Sequence, residues 1–380
     1  MNVVEHAGLA AWPKDDIERA VGRWLAAFEL ALTTADATAL HGLFLDECHW
    51  RDLVAFTWHN VAHVGRAKVV AGLQAYQPTI KARNFCVAGQ RAAPRVVRRL
   101  GVDVIEAFFD FETELGRGTG VLRLSAQDAA SPVAVRAWVL STTLQELKGY
   151  EEQIGANRPT GEAYSRNFGG DNWQDQRDHE QAFADRDPAV LVVGGGQAGL
   201  AIAARLRCLN VDTLIVEKNA RIGDNWRNRY HSLALHNELH VNHMPYMNYP
   251  PTWPVFIPKD MLGGWFEMYA FAMELNVWTG TEFVSARYDE STSVWQVDLI
   301  TNGGSEETLT ANALIFAVGQ LNRPNVPEIK GYADFQGETF HSARWRHDID
   351  LTGKRVGVVG TGASAFQFTP IIAEQSASVT

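Results

Sequence analysis

The residues with the plainest chemistry are glycines. Gly194-x-Gly196-x-x-Gly199 follows the apolar run Val190-Leu191-Val192-Val193 and leads into Ala201-Ile202-Ala203-Ala204, a good helix former. In a strand–turn–helix unit of this spacing each glycine has its own task. Gly194 permits the tight turn, Gly196 lets the backbone approach a pyrophosphate, and Gly199 lets the helix pack closely on the strand. The helix start, at Gln197 and Ala198, would then hold phosphate oxygens with its free N–H groups and dipole. A second strand, Thr213-Leu214-Ile215-Val216, ends in Glu217 with Lys218 beside it. A carboxylate there can accept hydrogen bonds from an adenosine ribose. The pattern predicts a dinucleotide site, with a purely structural glycine turn as the competing reading.

The pattern recurs at Gly360-Thr361-Gly362-Ala363-Ser364-Ala365, after the strand-like Arg355-Val356-Gly357-Val358-Val359. Ala365 replaces the third glycine, as the fingerprint permits. Between the two turns, the strand over 313–319 returns to the first sheet and ends in Ala317-Val318-Gly319. Two such turns imply two nucleotides in one chain. The commonest use of that pairing is a flavin held permanently and a nicotinamide cofactor that delivers hydride to it.

The rest of the chain must position these turns. Its 380 residues suffice for two or more domains. A hydrophobic content of 46% and a charged content of 21% are ordinary for a globular protein. The formal charge of −10 argues against a nucleic-acid partner, which would want a basic face. Cys48, Cys86 and Cys208 are scattered, which indicates neither a disulfide framework nor a cysteine metal site and fits a reducing, cytoplasmic setting. No apolar run reaches the roughly 18 residues that a membrane span requires. The N-terminus, with Glu5 and Lys14-Asp15-Asp16, lacks a signal-peptide core.

Residues 1–148 read as one α+β unit. Ile17, Val21, Trp24, Leu25, Phe28 and Leu32 recur at helical spacing, and helices are expected over 39–45 and 65–76. Strands are expected over 49–53, 56–59, 85–89, 102–111, 120–125 and 133–141. Residues 149–187, with Gly155, Pro159, Gly161, Gly169-Gly170 and a charged run from Asp171 to His179, read as a polar linker containing a helix. Trp173 is placed to pin it to a neighbouring surface. The first dinucleotide-binding domain is expected over 188–350 and the start of a second over 351–380. Within the first, after its second strand, a long insertion, 221–281, precedes β-rich pieces at 282–288 and 295–300, and Pro324 and Pro327 mark an exit loop.

The order of elements in 1–148 resembles the cone-shaped nuclear-transport-factor and polyketide-cyclase (SnoaL-like) superfamily. Leu43-Phe44, Asp46, Trp50-Arg51-Asp52 and Trp58 look like its first helix-to-strand passage. The resemblance implies helices followed by a strongly curved antiparallel sheet. Asp52, His59 and His63 would then be pocket groups, or the unit is a folded appendage whose Trp50 and Trp58 fill the interior.

From 189 onward the chain resembles the class B flavin-dependent monooxygenases, and within them the flavin-containing monooxygenases and their auxin-forming branch. Gly194 to Gly199 with Glu217-Lys218 matches the FAD turn. Ile222-Gly223-Asp224-Asn225-Trp226-Arg227-Asn228-Arg229-Tyr230 is similar to the Gly-Gly-x-Trp segment, with Asp224 in place of its second glycine. Phe335-x-Gly337-x-x-x-His341-Ser342-x-x-Trp345 looks like the family signature, and Gly360-x-Gly362-x-x-Ala365 resembles the NADPH turn. Tyr230-His231-Ser232-Leu233-Ala234-Leu235-His236, then Met244-Pro245-Tyr246 and Pro258-Lys259, resembles the auxin-forming branch.

The resemblance implies FAD and NADPH as cofactors, with molecular oxygen and a small organic substrate as partners and a homodimer left open. FAD would contact Gly194, Gly196, Gln197, Ala198, Gly199, Glu217, Lys218, Asn225, Trp226, His236, Ala317 and Gly319. NADPH would contact Gly360, Thr361, Gly362, Ala363, Ser364 and Ala365. His236 would be the catalytic residue. Its position carries Asn in many N- and S-oxygenating relatives, His in the auxin branch and Asp in Baeyer–Villiger enzymes. A donor beside the flavin ring can hydrogen-bond a flavin hydroperoxide and slow its loss as hydrogen peroxide. N- or S-oxygenation or oxidative decarboxylation ranks above ketone insertion: a Baeyer–Villiger enzyme would want Pro after Tyr230 and Pro or Asp after Trp345, where this chain has His231 and Arg346.

Competing readings stand beside these. His236, His240 and His243 could share a helical face and bind zinc, although Asn237, Asn242 and Pro245 oppose a helix and no metal is expected. Trp226 could be a core residue, and His341 a structural histidine rather than an acid or base. A flavin disulfide reductase would want a redox cysteine pair after the first turn, which this sequence lacks. An inactive flavin-binding or interaction module is the remaining alternative. Ser378-Val379-Thr380 reads as the opening of the second strand of the NADPH fold, which implies further chain, including the arginine that reads the 2′-phosphate. NADPH over NADH is therefore implied by the resemblance alone.

Overall fold

The computed structural model describes residues 12–126, 135–159, 170–320 and 323–380. It divides into one unit ending at Glu151 and a second beginning at Glu152.

In the first unit, α1 (Lys14–Thr33) buries Ile17, Val21, Trp24, Leu25, Phe28 and Leu32, the stripe its spacing demands. α2 (Ala37–Leu43) starts at Asp36, whose carboxylate accepts the Ala39 N–H at 2.9 Å. The helix stops earlier than its sequence suggests, because Phe44 is extended and sends its ring into the core against Trp24 and Phe28. The chain continues as β1 (Phe44–Leu53), β2 (Asn60–Val64), α3 (Arg66–Ile80), β3 (Arg83–Val87), β4 (Arg95–Arg99), β5 (Val102–Glu112), β6 (Gly116–Ala126) and β7 (Val135–Leu147). Residues 133 and 134 of the last expected strand, like Gly161 and Gly169 of the linker and the residues before Trp12, lie outside the described residues. The sheet order is β2-β1-β7-β6-β5-β3, with β4 also on β5. Every pairing is antiparallel except β1 with β7, which is parallel.

The strand expected over 56–59 is instead a bend, and the cause is Asp52. Its fully buried carboxylate accepts the N–H groups of Phe56 and Thr57 and the hydroxyls of Thr57 and Thr142 at 2.6 to 3.1 Å. Satisfying a buried carboxylate in this way outweighs local strand preference. The bend leaves Trp58 46% exposed at φ +59°, so Phe56, not Trp58, joins Trp50 in the core. The proposed pocket groups therefore have separate placements. Asp52 is committed to the bend, His59 is exposed, and His63 stacks on Trp50 with ring centroids 5.0 Å apart.

The strand pattern of the sequence also passes over β4, because Arg-Val-Val-Arg-Arg resembles a solvated run of charge. Glu106, 4% exposed on β5, gathers Arg95, Arg99 and Arg123 at 2.9 to 3.2 Å. Burial would raise the Glu106 pKa, but bonds from Arg99 and Arg123 outweigh it and hold the group below its ordinary range.

The second unit opens, within its described part, on α4 (Trp173–Ala182), the helix of the expected linker. It is anchored along its length: Trp173 Nε1 donates to Glu274 at 2.7 Å, and Arg177 donates to Leu275 O and Asn276. There follow β8 (Val190–Val193), α5 (Gln197–Cys208), β9 (Thr213–Glu217), α6 (Asp224–Arg227), α7 (Lys259–Ala272) and β10 (Asn276–Thr279). Next come β11 (Glu282–Asp289), β12 (Val294–Ile300), β13 (Glu306–Ala311), β14 (Ala313–Phe316), β15 (Arg355–Val356), α8 (Ala363–Ala373) and β16 (Ser378–Val379). A parallel sheet runs β10-β9-β8-β14, an antiparallel one β11-β12-β13, and β15 pairs parallel with β16. This is a mixed α/β architecture with a Rossmann-like sheet. The last residues of the expected insertion are thus a sheet strand, β10, too short to stand out by pattern.

Candidate functional site

The first glycine turn joins β8 to α5, and each glycine is fixed by a different neighbour. Gly194 has φ +107°, and a Cβ there would stand 2.7 Å from Ala317 O. That close approach places the end of β14, at Ala317, against the turn; Gly319, at φ +74°, is exposed. A Cβ on Gly199 would lie 1.9 Å from Gly194 O, so the first turn of α5 rests directly on the strand end. Gly196 is different: its Cβ would meet only Asn225 Nδ2, at 3.6 Å. The surface over Gly196 is therefore open, and Leu200 is the first α5 residue to bond back, to Gly196 O at 2.9 Å. The N–H groups before it face out of the helix end, where an anion is favoured. Ala198 and Lys218 are exposed beside the turn, and Gln197 donates to Asn242 O at 3.2 Å.

Glu217 at the end of β9 is 8% exposed. Its Oε2 accepts the Gly195 N–H at 2.8 Å, and its Oε1 accepts two bonds from Asn219 at 2.6 and 2.9 Å. A carboxylate has about four acceptor sites, so ribose hydroxyls can still be received. The sequence suggests only the ribose role; bracing the glycine turn is an addition from the structure.

Above the turn, α6 is locked by Gly223, φ +89°, against α7, where a Cβ would come 2.4 Å from Gly263 O. Arg227 ties it further to Asp224 and Glu267. Trp226 is half-buried, and its Nε1 is buried without a hydrogen-bond partner among the described residues. A buried indole N–H normally finds an acceptor. Arg229 lies 5.0 Å from the Trp226 ring and donates to Asn225 O. It forms no ion pair with any described carboxylate, and burial pushes its pKa down. Asn225 Nδ2 is thus the donor beside the open face of Gly196, and Trp226 and Arg229, further donors along the same segment, are without an acceptor side chain among the described residues. Arg229 escapes attention in the sequence; its i+3 spacing from Trp226 was the available signal.

The remaining expected residues separate by role. His236 is exposed and makes no hydrogen bond or ion pair among the described residues. His240 pairs with Glu238, and His243 Nδ1 accepts the Tyr249 N–H at 3.1 Å. Only Leu239–Val241 forms a short helical turn, so the three histidines do not share a helical face. His341 Nδ1 accepts the Ala343 N–H at 3.0 Å and caps a turn. Trp345 packs on Tyr230, Phe340 and Phe368.

At the second turn Gly360 has φ +116°, and neither it nor Gly362 would bring a Cβ within 4 Å of any atom. Thr361 and Ala363 are exposed, while Ser364 and Ala365 are half-buried at the start of α8. Tyr230 reaches this helix: burial raises its pKa, and the Ser364 side chain and the Arg229 charge oppose the rise. Gln367, which no sequence motif singles out, binds Tyr230 and Ala234.

A family model described as pyridine nucleotide-disulphide oxidoreductase matches residues 188–380, and so spans both turns. The chain belongs to this family. Unlike a dithiol member of the pyridine nucleotide-disulphide oxidoreductases, it has one cysteine, Cys208, within the match. A Baeyer–Villiger monooxygenase of Pseudomonas aeruginosa is 36% identical over 193 residues, 50% of this chain and 36% of that protein. Indole-3-pyruvate monooxygenase YUCCA1 of Oryza sativa is 32% identical over 181 residues, 47% of this chain and 44% of the relative. Among solved structures, OTEMO in complex with FAD and NADP is 30% identical, covering 51% of this chain and 39% of its own, with a TM-score of 0.44. Both curated relatives are monooxygenases by name. The chain spans only 29% to 37% of the length of three of the curated relatives it matches.

Proposed function

We propose that the chain carries the nucleotide-binding part of an FAD-containing, NADPH-dependent monooxygenase that oxygenates a small organic substrate by N- or S-oxygenation or oxidative decarboxylation. The observation that carries this reading is the open face over Gly196 beside Asn225 Nδ2, on a segment that Tyr230 links to the helix of a second glycine turn. FAD, once bound, supplies the hydride acceptor and the oxygen chemistry. The chain's own work is to hold and orient. Gly196 and the α5 N–H groups would take the pyrophosphate, Glu217 the adenosine ribose, and Asn225, Trp226 and Arg229 the polar groups nearer the flavin. Gly360 to Ala365 would take the pyrophosphate of NADPH. His236, exposed and uncommitted, is free to present a donor N–H toward the ring.

A Baeyer–Villiger reaction is the second reading, favoured by the Pseudomonas relative and by Trp345. For the unit ending at Glu151 we propose a SnoaL-like appendage; helices packed on the sheet around a buried Trp50 support it, and the committed Asp52 favours a structural role over a pocket.

The test is His236→Ala. NADPH should reduce the flavin at nearly the wild-type rate, since that depends on the two glycine turns. Hydrogen peroxide released per NADPH should rise while substrate oxygenation falls about tenfold, less than the roughly 2.7–4 kcal/mol seen for donors in enclosed oxyanion sites. Unchanged coupling, or a collapse of reduction itself, would remove His236 from this role.

A further inference from the structure

Gln367 lies one helical turn beyond Ala363 on α8, among the apolar residues Tyr230, Leu233, Phe368 and Ile372. Its side chain does what a neighbouring strand residue would do. Nε2 donates to Ala234 O at 2.8 Å, and Oε1 accepts the Ala234 N–H at 3.1 Å. The same Oε1 accepts the Tyr230 hydroxyl at 3.0 Å, while the Gln367 carbonyl accepts Ser232 Oγ at 3.4 Å. The neighbouring backbone of this segment is held by the loop before α7: Leu235 N–H donates to Ile257 O, and Lys259 N–H donates to Leu233 O. Ala234, two residues before His236, is thus gripped by one polar side chain from the helix of the second turn.

We propose that Gln367 is a positioning residue that couples nucleotide binding at the second glycine turn to the 230–236 segment. This rests on the reading of that turn as a nicotinamide-nucleotide site. A ligand that orders the start of α8 fixes Gln367, and Gln367 then fixes Ala234 and the approach of His236. The coupling runs through one amide that must donate and accept at once, which few side chains can do.

Hydrogen exchange of the purified full chain, with and without NADP+, tests the coupling. In the wild type NADP+ raises protection of the 230–236 amides about tenfold, a common size for coupling between sites. Gln367→Met binds NADP+ with little change but loses this response, because it can neither donate nor accept. Gln367→Glu loses it at neutral pH, where a carboxylate faces Ala234 O. It regains the response as pH falls toward the ordinary glutamate range, about 4.3, where the acid form can donate. That pH-dependent rescue would not follow from a merely structural role, and it decides the matter if the methionine variant fails to fold. A methionine variant that binds NADP+ and responds like the wild type, or a Gln367→Glu response without pH dependence, overturns the coupling alone. A wild-type chain that binds no NADP+ overturns both the coupling and the nicotinamide part of the proposed function.

Discussion

Gly199→Ala is expected to abolish FAD retention. The added methyl would stand 1.9 Å from Gly194 O and 3.1 Å from its carbonyl carbon. Both atoms are backbone in the turn that must present its N–H groups to phosphate, so no side chain can rotate away. Relief requires α5 to lift off β8, which also moves its start away from Ala317, whose Cβ would lie 3.4 Å from the added methyl. Overpacking a tight site costs about 1–3 kcal/mol where side chains can yield, and more is expected here because they cannot. A misplaced helix start then loses the pyrophosphate as well. Flavin fluorescence titration should show FAD affinity reduced at least about a hundredfold, with a lowered melting temperature in the unliganded chain. Tight FAD binding with an unchanged melting temperature would mean that the turn geometry is not what holds the nucleotide.

Glu217→Ala comes next in expected size, because the carboxylate serves two ends. Its loss leaves the Gly195 N–H without an acceptor inside the turn, frees Asn219, and removes the ribose contact. One charge-assisted hydrogen bond contributes on the order of 1.5–3 kcal/mol, which corresponds to roughly ten- to a hundredfold in FAD affinity. Glu217→Gln separates the two roles. It can satisfy Gly195 with its one oxygen, but it points an amide at the Asn219 donors, so it should retain the turn and bind FAD with intermediate strength. If Glu217→Ala purifies with undiminished flavin and unchanged affinity, the carboxylate does neither task.

The parts of the fold that were legible in the sequence are those whose causes are local. Gly194, Gly196 and Gly199 declare a strand–turn–helix because their spacing matches one turn and the first turn of a helix. The α1 stripe from Ile17 to Leu32 likewise declares its buried face. The failures share a physical form, a distant partner outweighing local preference. Residues 56–59 have strand-like composition, but the Asp52 carboxylate needs their N–H groups and bends them, which turns Trp58 outward. β4 becomes intelligible only with Glu106, on the strand it pairs with, to gather its arginines. Gln367 is invisible beforehand because Ala234 lies 133 residues away, and an amide on an apolar helix carries no motif.

The central claim is that the turn from Gly194 to Gly199 holds FAD. The visible absorption spectrum of the purified full chain, loaded with FAD and then freed of excess flavin by gel filtration, tests it most directly. The account predicts that flavin absorbance travels with the protein in stoichiometric amount and is lost in Gly199→Ala. A colourless protein, or flavin retained equally by the alanine variant, would contradict it.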